Sequence, residues 1–431
     1  MKLLGLLKGE HIFLYLSRGG ALLAQSVVFL LIAFSSDLGE FGRFSFLIST
    51  VGVVSVLVAQ GGSAILLRDL PEPFMKQDNP LIGQIVWLTF IRLFFAILVL
   101  LGAISLIANQ FTNALPSGFF EIAVTVVLAA FAHALLGLAV SVLRVRGGTL
   151  SALLYRDLFP FVLLGILYLA SKILYPLDSE GILVLHGFSL AFCAVCCLFT
   201  VRKNLVVSPR MLRKNPLYSS NTVVFWMSSV VGTVFAQQDI IIARALLGDH
   251  YLGVYALFRR ITNLISISQI VANWTVNVDV RKYFVVSNLP KLNQLAAHAL
   301  SISFPIGLLL GVGIVTFAWL WLPLFGLEPD LYSITQLSVL ILGQVFGVAA
   351  GANMAFAAQC NQESYALKAR CIALFVGAGC AVCGGLLSGG LGIAVAVLVS
   401  IVTLNTLVTV KVFQTVRVWT SFPFIKPKVV G

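Results

Sequence analysis

The sequence predicts an all-α polytopic membrane protein of about twelve transmembrane helices in two six-helix lobes. Three observations predict it. Hydrophobic residues make up 59% of the 431-residue chain and charged residues only 10%, against about 25% charged in soluble domains. Long apolar runs recur from end to end, in step with a mean hydropathy of +1.02. The basic residues gather in alternate connections between those runs. A water-soluble fold cannot hide this much apolar surface behind so few charges. A cytosolic enzyme, a secreted disulfide scaffold and a disordered chain are thereby excluded. An outer-membrane barrel would show stretches of ~10 residues alternating in polarity; these runs are longer and uniformly apolar.

A helix needs ~20 apolar residues to cross the hydrocarbon core. Runs that meet this need lie at 10–35, 44–67, 81–109, 118–143, 149–171, 181–201, 217–243, 250–280, 293–322, 332–359, 366–387 and 390–413. The connections are too short for a folded extramembrane domain. No cleavable leader is expected, because the first ten residues run into the first span without a small-residue cleavage motif.

The net charge is +12, from 28 Lys+Arg against 16 Asp+Glu. With the N-terminus in the cytoplasm, 20 of the 28 basic residues fall in connections on that side, and three (Arg43, Lys172 and Arg244) fall on the other. This asymmetry is the positive-inside pattern, so both termini are expected in the cytoplasm and nucleic acid is not expected as a partner. The longest basic connection divides the chain into an N-terminal lobe (1–200), a cytoplasmic linker (201–216) and a C-terminal lobe (217–431). A weak repeat supports that division. Glu40-Phe41-Gly42-Arg43-Phe44-Ser45-Phe46 and Tyr251-Leu252-Gly253-Val254-Tyr255-Ala256-Leu257 each open the second span of a lobe. Because each lobe has an even number of spans, the repeat is parallel.

Five arginines (Arg18, Arg92, Arg156, Arg259 and Arg260) lie inside the runs. Each costs ~2.5–3.5 kcal/mol at mid-bilayer unless a partner or water receives it. At 100° per residue, several spans carry a polar line. His11, Arg18, Gln25 and Ser36 share one in span 1, and Ser45, Ser49, Gln60 and Ser63 a looser one in span 2. Asn221, Ser228, Gly232 and Asp239 share one in span 7, as do Arg259, Asn263, Ser266, Asn273 and Asn277 in span 8. The functional reading is a polar cavity lined by these four spans; the structural one is polar glue between packed helices. Candidate cavity groups are Arg18, Gln25, Gln60, Arg259, Asn263 and Asn273, followed by Arg92, Arg156 and Arg260. Asp239 reads equally as a titrating acid or as a partner for Arg259 or Arg244. Arg156 and Asp157 are neighbours just before Pro160, where a kink is expected; adjacent side chains on a helix diverge, so each is expected to pair with another helix. His133 and His186 read as structural.

Cys193-x-x-Cys196-Cys197 and Cys380-x-x-Cys383 lie in mid-helix among small apolar residues, so they read as packing residues and not as metal ligands. Gly384-Gly385 and Gly389-Gly390 suit close helix approach and a tight turn. The sequence has no Walker A, Gly-x-Ser-x-Gly or His-Glu-x-x-His motif, so neither ATP hydrolysis nor enzymatic chemistry is expected.

Several stretches resemble the polysaccharide (O-antigen, Wzx-type) flippases of the multidrug/oligosaccharidyl-lipid/polysaccharide (MOP) exporter superfamily. They are Gly39 to Phe44 with the following Gly61-Gly62-Ser63-Ala64 and Arg68; Gln238 to Ala243, Leu246-Leu247-Gly248 and Gly253 to Ala256 with Arg260-Ile261; and Gly389 to Ala396. The resemblance implies the MOP exporter fold and a location in the bacterial inner membrane. It implies an undecaprenyl-diphosphate-linked oligosaccharide as cargo, flipped from the cytoplasmic to the periplasmic leaflet by alternating access for surface polysaccharide assembly. It implies membrane lipid, a polysaccharide polymerase and chain-length machinery as partners, no cofactor, and coupling to H⁺ or Na⁺ with Asp239 and Asp157 as the acids to test. Arginine suits a diphosphate through paired charge-assisted hydrogen bonds, and amides suit hydroxyls. A cation-coupled multidrug antiporter of the same superfamily is the alternative, and would want an acid-rich cavity. A membrane enzyme that polymerises lipid-linked sugars is a third reading, and would want a larger outer loop.

Overall fold

The computed structural model describes residues 9–110, 118–175, 177–202 and 220–422. The described residues are helical almost throughout. In chain order the helices are α1 (Gly9–Ser35), α2 (Leu38–Ala59), α3 (Gly62–Asp69), α4 (Pro71–Met75), α5 (Asn79–Gln110), α6 (Phe119–Val145) and α7 (Thr149–Leu153). A π-turn (Leu154–Leu158) leads into α8 (Phe159–Leu174) and α9 (Ser179–Val201). Then come α10 (Ser220–Leu246), α11 (Asp249–Val285), α12 (Leu289–Thr316), α13 (Ala318–Trp321), α14 (Leu331–Ala349), α15 (Asn353–Gln359) and α16 (Glu363–Val416).

Where it is described, each of the twelve expected runs falls on helix, the run 217–243 from Ser220 onward. Nine helical stretches among the described residues are long and apolar enough to cross a membrane. One of them, α16, is two spans in sequence: Ser388 (φ −139°) and Gly389 (φ 58°) break the helix between 387 and 390. The remaining two runs are α10 and α11, with 27 and 37 residues, and these carry Asp239, Arg244, Arg259 and Arg260.

Four runs depart from the expected continuous helix, the simplest being span 9 (293–322), where α12 ends at Thr316 and α13 resumes at Ala318. Span 2 begins at Leu38 and breaks at Gln60 (φ 46°) and Gly61 (φ 72°), so the expected 44–67 becomes α2 and α3. At Gly61 the left-handed backbone favours a residue without Cβ; Gly61→Ala should cost ~1 kcal/mol, read as a lower unfolding temperature in detergent. Span 10 stops at Ala349 and resumes as α15 after Gly351 (φ 65°). Gln269 on α11 donates from Nε2 to the carbonyls of Gly347 and Gly351 at 2.8 and 2.9 Å, bracing the chain on both sides of the break. Span 5 contains the π-turn. Pro160 has no N–H, and its ring crowds the carbonyl four residues back, that of Arg156. The helix accommodates this by widening its turn ahead of the proline, and a π-turn holding Arg156 and Asp157 sits where the kink is expected.

The chain forms two compact units, one of Met1–Ile32 with Arg43–Gln237, the other of Ala33–Gly42 with Gln238–Gly431. Most of the expected linker, from 203 onward, lies outside the described residues; the chain passes from one unit to the other inside α1, inside α2 and inside α10. In the first unit, α6 packs along α9. Alanines 129, 130, 132, 134 and 139 of α6 and Ala194, Cys193 and Cys197 of α9 are buried, so small side chains let the backbones approach. The two buried cysteines belong to that core, as their sequence context predicts. By contrast, α5 turns Trp87, Phe94, Phe95 and Leu106 outward, a surface suited to hydrocarbon.

In the second unit, the first turn of α2 crosses the first turn of α11. A Cβ on Gly42 would lie 2.6 Å from the Gly253 amide nitrogen and 2.9 Å from the Asp249 carbonyl oxygen. A Cβ on Gly253 would collide with the Leu38 carbonyl oxygen. These are the glycines of the internal repeat, and the contact is reciprocal: the offset that aligns Gly42 with Gly253 also aligns Leu38 with Asp249.

Candidate functional site

Charged groups inside the spans form two clusters, one in each unit. In the second unit, Tyr255, Arg259 and Asn263 follow one another at four-residue spacing on α11 and so share a face. That face meets Asp239 of α10. Oδ2 of Asp239 accepts from Arg259 Nε at 2.7 Å and from the Tyr255 hydroxyl at 3.0 Å. Arg259 also donates through Nη1 to Asn263 Oδ1. The side chains of Asp239 and Arg259 are 3% and 15% exposed. Of the two partners open to Asp239 from sequence, the structure gives it Arg259; Arg244 pairs with Asp249 across the α10–α11 connection. Tyr255 lies off the polar line of charges, amides and small hydroxyls that the sequence shows, because its ring is mostly apolar. Extending the Arg259–Asn263 spacing one turn back finds it.

The first unit holds a looser arrangement. Asp157, in the π-turn, places Oδ2 3.8 Å from Arg18 Nη1 of α1 and Oδ1 3.7 Å from Arg156 Nε. The pairing with α1 agrees with the sequence reading. The approach of Arg156 to its neighbour does not: a π-turn spends more residues per turn, so adjacent side chains diverge less than on an α-helix. Arg18 and Asp157 are 22% and 20% exposed, and Arg156 is 63% exposed.

The other candidates are dispersed. Gln25 is half-buried on α1, two turns beyond Arg18. Gln60 leaves the expected stripe altogether, since it sits at the break after α2 and not on a helical face shared with Ser63. Ser45 and Ser49 of that stripe are buried, and Ser49 bonds back to the Ser45 carbonyl at 2.8 Å, which is glue within the helix. Arg92 is half-buried on α5 between outward-facing Ile91 and Phe94. Arg260 is half-buried beside Arg259, and Asn273 lies further along α11 with a buried side-chain oxygen. The side chains of His11, Asn221 and Asn277 lie outside the described residues. His186 is buried, its ring 5.8 Å from that of Phe161. A further polar group escaped the sequence reading: buried Asn353 of α15 donates to Asn405 Oδ1 at 3.0 Å and Thr409 Oγ1 at 3.1 Å, tying α15 to α16. Its partners are fifty residues away in sequence, beyond the reach of any helical periodicity.

Among solved structures, the chain is similar over nearly its whole length to an inward-facing multidrug resistance MATE family transporter of the MOP superfamily, at 15% identity and a TM-score of 0.65 over 94% of each chain. The MOP exporter fold is thereby shown. The Vibrio cholerae MATE transporter VcmN in its bent form matches with 16% identity and a TM-score of 0.64, over 95% of this chain and 96% of that one. A MOP superfamily transporter from Pyrococcus furiosus, whose binding pocket is described as reversed in polarity and suggestive of a different function, matches with 16% identity and a TM-score of 0.63, over 94% of this chain and 93% of that one. No family model and no curated protein matches the chain. The MOP fold expected from the sequence motifs therefore holds. Two of these neighbours are MATE transporters and the third is a MOP superfamily transporter, whereas the motifs resemble the polysaccharide branch. Within one MOP fold, function is argued from the site.

Proposed function

We propose that the protein is a MOP-fold transporter that moves an anionic, polyprenyl-diphosphate-linked oligosaccharide from the cytoplasmic to the outer leaflet of a bacterial inner membrane by alternating access, with both termini in the cytoplasm. The observation that carries this reading is the sign of the charge away from the span ends: five arginines (Arg18, Arg92, Arg156, Arg259 and Arg260) against two aspartates (Asp157 and Asp239), each aspartate lying against arginine. Charge inside a bilayer is costly and is kept where function needs it. A cationic interior suits a diphosphate, which guanidinium groups grip through parallel hydrogen bonds. The membrane potential assists, by ~2.3 kcal/mol per negative charge moved outward for each 100 mV.

The likeness to multidrug MATE structures favours a second reading, a cation-coupled drug antiporter. Such a transporter needs a carboxylate open to a cationic ligand or coupling ion. Asp239 is occupied by Arg259 and Tyr255 and nearly sealed, which leaves Asp157 as the acid for coupling.

Proteoliposomes separate the two. Purified protein should accelerate the transbilayer movement of a fluorescent, short-chain polyprenyl-diphosphate sugar at least tenfold over protein-free vesicles, more so with the receiving side positive. Proton-driven uptake of cationic dyes without movement of the lipid would overturn the flippase reading in favour of the antiporter.

A further inference from the structure

The two clusters are not equivalent. Arg259 and Asp239 form a tight pair at 2.7 Å, almost closed to solvent, with Tyr255 and Asn263 taking up remaining hydrogen-bonding capacity. That is the arrangement of a structural counter-ion pair. In the first unit a single carboxylate faces two guanidiniums, one oxygen toward each, at 3.8 and 3.7 Å. Charge-assisted N–H···O bonds are normally ~2.7–2.9 Å long, so Asp157 touches both guanidiniums without closing on either.

From this difference we infer that Arg18 and Arg156 form a binding site for a phosphate-class oxyanion, with Asp157 as the internal anion that occupies the guanidinium pair until the ligand arrives. The inference deepens the proposed function, on which its lipid-borne ligand rests. Two guanidiniums lie within 4 Å of one carboxylate, Arg18 Nη1 by one oxygen and Arg156 Nε by the other. A phosphate or diphosphate offers more oxygens and more charge than a carboxylate, and so can engage both forks at once. The π-turn is what makes this geometry available, because on a regular helix Arg156 and Asp157 would point farther apart. Arg156 is 63% exposed, so its guanidinium is not sealed by protein. Arg156 lies seven residues into its span and Arg18 nine residues into α1, about 10 to 14 Å from the helix starts at 1.5 Å per residue. Both starts are at the end that the basic connections mark as cytoplasmic, where a cargo would be loaded.

The sign of one substitution separates this role from a merely structural one. Binding of two probes, inorganic pyrophosphate and farnesyl diphosphate, is measured by calorimetry on the purified full-length protein in detergent. Asp157→Asn removes the competing anion and should tighten binding of both probes about tenfold, while Arg156→Gln and Arg18→Gln weaken it about tenfold. Asp157→Glu keeps the competing charge and should bind as the wild type does. If Asp157 only braced the helices, Asp157→Asn would weaken binding or leave it unchanged, and either result overturns the proposal. Tightening toward pyrophosphate alone would overturn the lipid assignment in favour of a free anion. Should Asp157→Asn fail to fold, Arg156→Lys on the exposed side chain decides: it keeps the charge and loses the fork, so a severalfold loss of pyrophosphate affinity is expected, and unchanged affinity overturns the site. Lipid movement in vesicles is scored separately. Normal flipping with no effect of Asp157→Asn on binding rejects this site and leaves the proposed function standing; the expected binding changes without flipping do the reverse.

Discussion

Asp239→Asn is expected to destabilise the protein by ~3–5 kcal/mol, because it strands the buried Arg259 guanidinium without its counter-charge. The loss should appear as a large drop in unfolding temperature in detergent and as poor accumulation in the membrane. Arg259→Gln alone should be comparably harmful, since it leaves the carboxylate beside only Tyr255. The informative variant is the pair. Asp239→Asn with Arg259→Gln replaces two opposed charges by two amides of similar shape, and buried ion pairs replaced together are often near neutral. A double-mutant cycle should therefore return a coupling energy of several kcal/mol, well above the ~0.5–3 kcal/mol usual between contacting residues. Additive losses would show that the ion pair does not hold α10 to α11.

Gly253→Ala is expected to be the most damaging single-methyl addition in the chain's repeat motif. The new Cβ meets the Leu38 carbonyl oxygen, which is backbone and cannot rotate away. Relief requires α2 and α11 to separate, with a cost of ~3 kcal/mol or more, at the upper end for an overpacked site. Gly42→Ala should follow at smaller cost, its clashes being 2.6 and 2.9 Å. Gly19→Ala on α1 is the control. Nothing lies within 4 Å of its Cβ position, so alanine's better helix propensity should leave the fold unharmed or stabilise it by ~0.5–1 kcal/mol. Equal unfolding temperatures for Gly253→Ala and Gly19→Ala would refute the close crossing.

Much of the architecture was legible because a bilayer reduces the problem to counting apolar runs. Where they are described, all twelve runs lie on helices, and the turn at Ser388–Gly389 falls between the two where the glycines signalled it. The polar line of α11 was also legible, since Arg259 and Asn263 do share a face. What periodicity missed were the places where the helix stops being periodic. Stepping at 100° per residue carried span 2 through Gln60, where the backbone turns left-handed, and carried span 5 past a π-turn. It also offered no means of choosing Arg259 over Arg244 as the partner of Asp239, because that choice is made by the packing of α10 against α11. Asn353 with Asn405 and Thr409 was out of reach for the same reason.

The π-turn of span 5 has a consequence for the helix as a moving part. One extra residue in a turn rotates everything beyond it by about 100° relative to an unbroken α-helix. Thr149–Leu153 and Phe159–Leu174 therefore run on two different phases, joined at the segment that carries Arg156 and Asp157. Sliding that extra residue one position along the chain would swing one side chain from one phase to the other while the rest of the helix stays put.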